Sequence, residues 1–241
     1  MSCSIKLCGL VFRAMALGTI ALSASPTAAS IDCELASCID LSDLDGSSGV
    51  DWSTLINDAN EFYETDTNVY LVSAFDEGIS SPYFLPEQES VTKGQIHIPD
   101  IYHWVVSNGR ADDAESIWKF IVGHEMAHAY QVRANLDKSL VGPFDSVVVL
   151  ELHADYLAGF FLTKRYGLSV TELDSILNEV ERLPTGEPGD PDFHGAHAQR
   201  VIMVTRGALF AVADPGADLK GASICGLEMA LELIANTRSG C

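Results

Sequence analysis

Between residues 112 and 165 apolar side chains recur every three or four positions, the period of a helix with one buried face. Ile117, Ile121 and Val132 mark the stripe of a first helix, expected over about residues 112–133. Asp112, Asp113 and Glu115 suit the positive end of its dipole. A loop over about 135–143 leads to a second helix, about 145–165, with Val147, Leu150, Ala154, Ala158 and Phe161 facing inward. The same period predicts helices over about 52–63, 171–182, 196–213 and 224–235, with the Gly- and Pro-rich segment 184–191 as a loop. Residues 68–75 read as a strand and Tyr83 to Leu85 as a short second one. Gln95-Ile96-His97-Ile98 alternates polar and apolar and stops at Pro99, which predicts a strand near a sheet edge. The pattern is α+β, a mostly helical domain with a small β-sheet ahead of two long helices.

Polar groups interrupt both long stripes. His124 and His128 fall inside the first and Glu151 inside the second. Burying an unpartnered carboxylate costs several kcal/mol, and a divalent cation between the helices removes that difficulty. The spacing fits this chemistry. In His124-Glu125-Met126-Ala127-His128 the two histidines, four apart, project from one helix face and can share an ion. Glu125 points about 100° away round the helix, toward a water on that ion. Glu151 is the candidate third ligand. Asp155, one turn beyond it, is placed to accept an N–H from a ligand imidazole, with His124 preferred. Two imidazoles, one carboxylate and an open fourth position point to Zn2+, which would activate a water and polarise a carbonyl. Glu125 would then be the general base, later passing the proton to a leaving amine. His153, His97 and His103 are expected to be surface or packed histidines, and Tyr83, Tyr130 and Tyr156 core or rim residues.

His124-Glu125-x-x-His128 with Glu151-x-x-x-Asp155 resembles the gluzincin arrangement of thermolysin-like peptidases. A closer resemblance is to the bacterial neutral zinc metallopeptidases, whose pattern adds a Gln after H-E-x-x-H, an E-L-x-A-D-x-x-A-G segment and a downstream H-G-x-x-x-Q-R. Gln131, Glu151-Leu152-His153-Ala154-Asp155-Tyr156-Leu157-Ala158-Gly159 and His194-Gly195-Ala196-His197-Ala198-Gln199-Arg200 match these in order. The His and Arg six apart are also similar to the H-P-x-x-x-x-R segment of prenyl-protein and heat-shock membrane proteases, whose transmembrane helices this chain lacks. The likeness spans about residues 83–207. It implies a zincin-like fold acting on a peptide or protein substrate. It also implies that His194, or less directly His197, steadies the oxyanion. Arg200 would either pair with a carboxylate behind the ligands or anchor its helix. Peptidases of this type often hold substrate as an added strand at a sheet edge, and residues 95–99 are placed to serve. The rival readings are a non-catalytic, zinc-stabilised binding module on a retired peptidase fold, and a cell-wall amide hydrolase.

Charge and the two termini narrow the partners. The chain carries 34 acidic and 14 basic side chains. Lys6 and Arg13, the apolar and small-residue run 14–24, and small residues near Ala29 and Ser30 read as a secretory signal peptide over residues 1–30. Export to the periplasm or the medium is expected. Cleavage near Ala29 or Ser30 would leave 12 basic side chains and a net charge of about −22. Such a surface disfavours nucleic acid and anionic lipid. A lipobox-like Leu35-Ala36-Ser37-Cys38 is weakened by Asp32 and Glu34. Residues 31–49 read as an acidic tethered arm and 50–241 as a single domain. No later segment is apolar and long enough to span a bilayer, since Arg206 breaks the nearest, 201–213. Cys33, Cys38, Cys225 and Cys241 would form two disulfides in an exported chain, with three pairings open.

Overall fold

The computed structural model describes residues 38–44, 50–73, 81–87, 90, 92–109, 114–136, 147–173, 176–178 and 195–239. In chain order it forms β1 (Ile39–Asp40), a 3-10 turn (Leu41–Leu44), α1 (Trp52–Tyr63), β2 (Asp66–Val72), β3 (Tyr83–Pro86) and β4 (Lys93–Pro99). Further helices among the described residues are α2 (Asp100–Gly109), α3 (Ala114–Arg133), α4 (Val148–Tyr166), α5 (His197–Ala213) and α6 (Leu219–Ser239). The architecture is α+β, mostly helical with one small mixed sheet.

Local chemistry accounts for the element ends. Asp51 caps α1 by accepting the Thr54 N–H at 2.9 Å, and the helix buries Trp52, Leu55, Ile56, Ala59 and Tyr63 at helical spacing. The sheet runs β1-β2-β4-β3. β2 and β4 are parallel, with Val69 opposite Ile96, and β3 is antiparallel to β4, with Tyr83 opposite His97. β4 is therefore an interior strand, which corrects the edge expected for residues 95–99. Pro99 ends the strand and Asp100 starts α2 at once; the missing N–H of a proline is tolerated at such a terminus as well as at an edge. Among the described residues β3 ends the sheet, so the substrate edge assigned to 95–99 is overturned.

Two more expectations change. Part of the acidic arm belongs to the fold, because Ile39 and Asp40 pair with Leu71 and Tyr70 and Leu41 is fully buried. Helix α2 was not foreseen. The helix expected over 171–182 is described only as a turn at 171–173 and a helical stretch at 176–178, and the loop 184–191 lies outside the described residues. Cys38 is disulfide-bonded. Cys225 carries a buried thiol, which corrects the expectation of a second disulfide through it. Cys33 and Cys241, like residues 1–30, lie outside the described residues.

Helix α4 runs through the centre of the core, with every residue from Val148 to Leu162 buried. Tyr63 of α1 donates its hydroxyl hydrogen to the Leu157 carbonyl of α4 at 3.1 Å. On another side α5 approaches so closely that a Cβ on Gly159 would collide with the Val204 carbonyl, and one on Gly207 with the Tyr156 carbonyl. Two facing glycines thus let two helix backbones meet, and that closeness brings Arg200 of α5 beside Asp155 of α4. Among the described residues no helix is long and apolar enough to cross a membrane.

Candidate metal centre

His124, Glu125 and His128 stand on α3, and Glu151 and Asp155 on the α4 helix packed against it. All five are buried or nearly so. The two imidazoles present their Nε2 atoms to each other at 3.2 Å. His124 Nε2 lies 3.3 Å from Glu151 Oε2, and His128 Nε2 lies 3.4 Å from Glu151 Oε1. A tetrahedral ion bound at about 2.0–2.1 Å holds any two of its donors about 3.3–3.4 Å apart. Each imidazole meets a different Glu151 oxygen near that distance, and one donor atom from each of the three side chains lies within 4.8 Å of the others, so the three could hold a metal between them.

Both rings are backed from behind. His124 Nδ1 lies 2.9 Å from Asp155 Oδ1. Arg200 donates to the same carboxylate through two nitrogens, Nε to Oδ2 at 2.8 Å and Nη2 to Oδ1 at 2.9 Å. This planar two-point contact is the strongest geometry open to an arginine and a carboxylate. Arg200 was left between pairing and anchoring by the sequence, and the geometry makes it do both. His128 Nδ1 meets Gln131 Oε1 at 2.9 Å. Gln131 Nε2 donates to the Leu150 carbonyl at 2.8 Å and lies 3.1 Å from His153 Nδ1. His153 Nε2 is 3.0 Å from the Ser223 carbonyl of α6.

The electrostatics follow from burial and these contacts. Burial alone would lower His124, but Asp155 and Glu151 outweigh it and push its pKa up to about 10. His128 is also raised, Glu151 overcoming the effect of burial. Glu151 is held well below the ordinary carboxylate range because His128 and His124 outweigh its burial. Asp155 is lowered against burial by Arg200 and His124. The cluster draws positive charge to its centre, where protons and a metal ion would compete. Glu125 moves the other way, as burial raises its carboxyl and the two imidazoles only partly offset this. A raised carboxyl suits a group that must accept a proton and give it up again.

His124, His128 and Glu151 line a cleft of about 350 Å³. Its walls include Tyr83, Phe84 and Pro86 of β3, Phe120 and Ile121 of α3, and Leu150 of α4. Glu125 and Arg200 border the same space. His194 lies outside the described residues, directly before Gly195 and α5; the alternative, His197, is the first residue of α5. His97 is a packed histidine, bonded to Tyr83 and Gln95, and His103 stacks on Trp118. His153 is packed too, but the network it joins was missed. Burial lowers its pKa to about 4, which keeps it neutral. Its signal in the sequence was an apolar run from 148 to 162 interrupted only at Glu151, His153 and Asp155, with Tyr156 and Thr163 the nearest other polar groups. No protein-family model, curated protein or solved structure matches this chain.

Proposed function

We propose that this chain is an exported zinc-dependent metallopeptidase that hydrolyses peptide bonds with Glu125 as general base. The observation that carries the reading is the buried His124–His128–Glu151 group, its donor atoms within 4.8 Å of one another, with Glu125 in the same cleft. Two imidazoles, one carboxylate and an open position fit zinc best. A zinc ion held there supplies Lewis acidity to a scissile carbonyl and makes a water molecule more acidic. Glu125 takes the proton of the attacking water and hands it to the leaving amine nitrogen. Asp155 fixes the His124 ring so that Nε2 faces Glu151, and Arg200 keeps Asp155 charged. His194, next in sequence to Gly195, steadies the oxyanion. Strand β3, terminal among the described residues, puts Tyr83, Phe84 and Pro86 into the cleft lining, so a substrate backbone can add beside it.

The test begins with zinc stoichiometry, followed by cleavage of a peptide library and of cell-wall amides by the wild type and Glu125→Gln. A zinc-bound wild type that cleaves peptides, and a variant slower by about 10²-fold or more, support the reading. Equal activity of the two proteins removes Glu125 from the mechanism. Bound zinc with no hydrolysis of any substrate favours the binding module instead.

A further inference from the structure

We propose that Gln131 and His153 form a positioning relay that reads a main-chain carbonyl of α6 and thereby sets which nitrogen of His128 faces the metal. The inference rests on the metal reading above and adds to it the control of one ligand by a helix that contributes no ligand.

Donor and acceptor rules leave the relay one arrangement. The Ser223 carbonyl oxygen can only accept, so His153 Nε2, 3.0 Å away, must carry a hydrogen and donate it. In a neutral imidazole the other nitrogen is then an acceptor. His153 Nδ1 therefore requires a donor, and the group 3.1 Å from it is the Gln131 side-chain amide, whose NH2 must be the end facing it. The Leu150 carbonyl, another pure acceptor, takes the second hydrogen of that NH2 at 2.8 Å and fixes the amide the same way round. Gln131 Oε1 is left to face His128 Nδ1 at 2.9 Å, and an oxygen there requires His128 Nδ1 to be the protonated nitrogen. Nε2 then turns its lone pair toward His124 and Glu151, the direction a metal ligand needs. The Ser223 hydroxyl, 3.2 Å from His153 Nε2, lies at the far end of the same line.

All three relay side chains are buried, with Gln131 at 2%, His153 at 0% and Ser223 at 5% exposure. The line is almost wholly withdrawn from bulk solvent. A buried amide in one fixed orientation is a device for specifying a tautomer, and the tautomer specified is the one that binds metal. The relay crosses three elements, from α3 through α4 to α6. A dislodged α6 would free the His153 ring, and the order of donors behind His128 would be lost.

The experiment uses the full chain. Nitrogen-15 spectra of the zinc-loaded wild type should show His128 protonated at Nδ1 and His153 protonated at Nε2. Zinc affinity should fall about 10- to 100-fold in Gln131→Met and in His153→Phe. The double variant should lose little more than either single one, because each breaks the same line. His153→Gln, which keeps one donor and one acceptor, should recover much of the affinity. The metal-free variants are compared by urea unfolding, so that a change in affinity is separated from a change in folding. Wild-type spectra with His153 protonated at Nδ1, or single variants that fold and bind zinc as tightly as wild type, overturn the relay while leaving the metal reading intact. A folded wild type that takes up no zinc overturns the metal reading and the relay with it.

Discussion

The two histidines of the centre differ most in what stands behind them. His124 is backed by charge: Asp155, itself gripped by Arg200, with both partners buried. His128 is backed by neutral groups, an amide and a second imidazole. Both arrangements orient a ring, yet they stand at opposite ends of the energy scale. A buried ion pair is tolerable only while both members are present, since removing one leaves an uncompensated charge. A neutral relay that loses a member leaves an unsatisfied polar group, a smaller penalty. The charged side should thus govern whether the domain folds, and the neutral side how tightly it holds metal.

The largest effect is expected at the charged side. Asp155→Ala strands Arg200 and should destabilise the metal-free protein by about 3–5 kcal/mol, read by urea unfolding. Arg200→Met leaves Asp155 with His124 as its remaining partner and should cost less than Asp155→Ala, and the pair Asp155→Leu with Arg200→Met should recover part of the Asp155→Ala loss. If Asp155→Ala is milder than Gln131→Met, the contrast between the two sides is wrong. Next in size is Gly207→Ala, where the new methyl must push α5 away from the Tyr156 carbonyl. A loss of about 1–3 kcal/mol is expected, together with weaker zinc binding as Arg200 is drawn off Asp155. The smallest effect should be at Arg165, which pairs with Asp58 and Glu61 on the surface, far from either support. Arg165→Ala should cost less than about 1 kcal/mol and leave zinc affinity unchanged.

His124 is raised in the metal-free fold to about 10, above its ordinary value near 6.5. Its contribution to metal-free stability is complete below about 6.5 and is lost as pH climbs toward 10. Glu151 and Asp155 are depressed, so their contributions are present above the ordinary carboxylate range and vanish as pH falls through their lowered values. Zinc affinity runs against the first trend, because the metal must displace protons from the imidazoles. Between about 6.5 and 10, metal-free stability should fall while zinc affinity rises, which unfolding and competition titrations at matched pH would show.

Much of the centre was legible in sequence because helical spacing is local. His124, Glu125 and His128 follow from i, i+4 geometry, and Glu151 with Asp155 from one turn of the partner helix. α1 is found over the same residues, 52–63, for which its apolar pattern called. What sequence did not show depends on tertiary context. Two positions past Glu151, His153 should point to the far side of its helix, and for an amphipathic helix that side is solvent. α4 is buried all round, so its far side is another interior. The same reason hid Ser223, whose role is carried mainly by its backbone. β4 was misplaced because a proline stop looks the same at a sheet edge and at a strand-to-helix junction. The docking of 38–44 was missed because two strand residues carry too little pattern to read.

The most direct test of the account is diffraction from zinc-grown crystals at energies on either side of the zinc edge. The account predicts one anomalous peak within about 2.0–2.2 Å of His124 Nε2, His128 Nε2 and a Glu151 carboxylate oxygen, with the fourth position open to the cleft. No peak between those three side chains, or a peak there with Glu151 turned away from it, would contradict it.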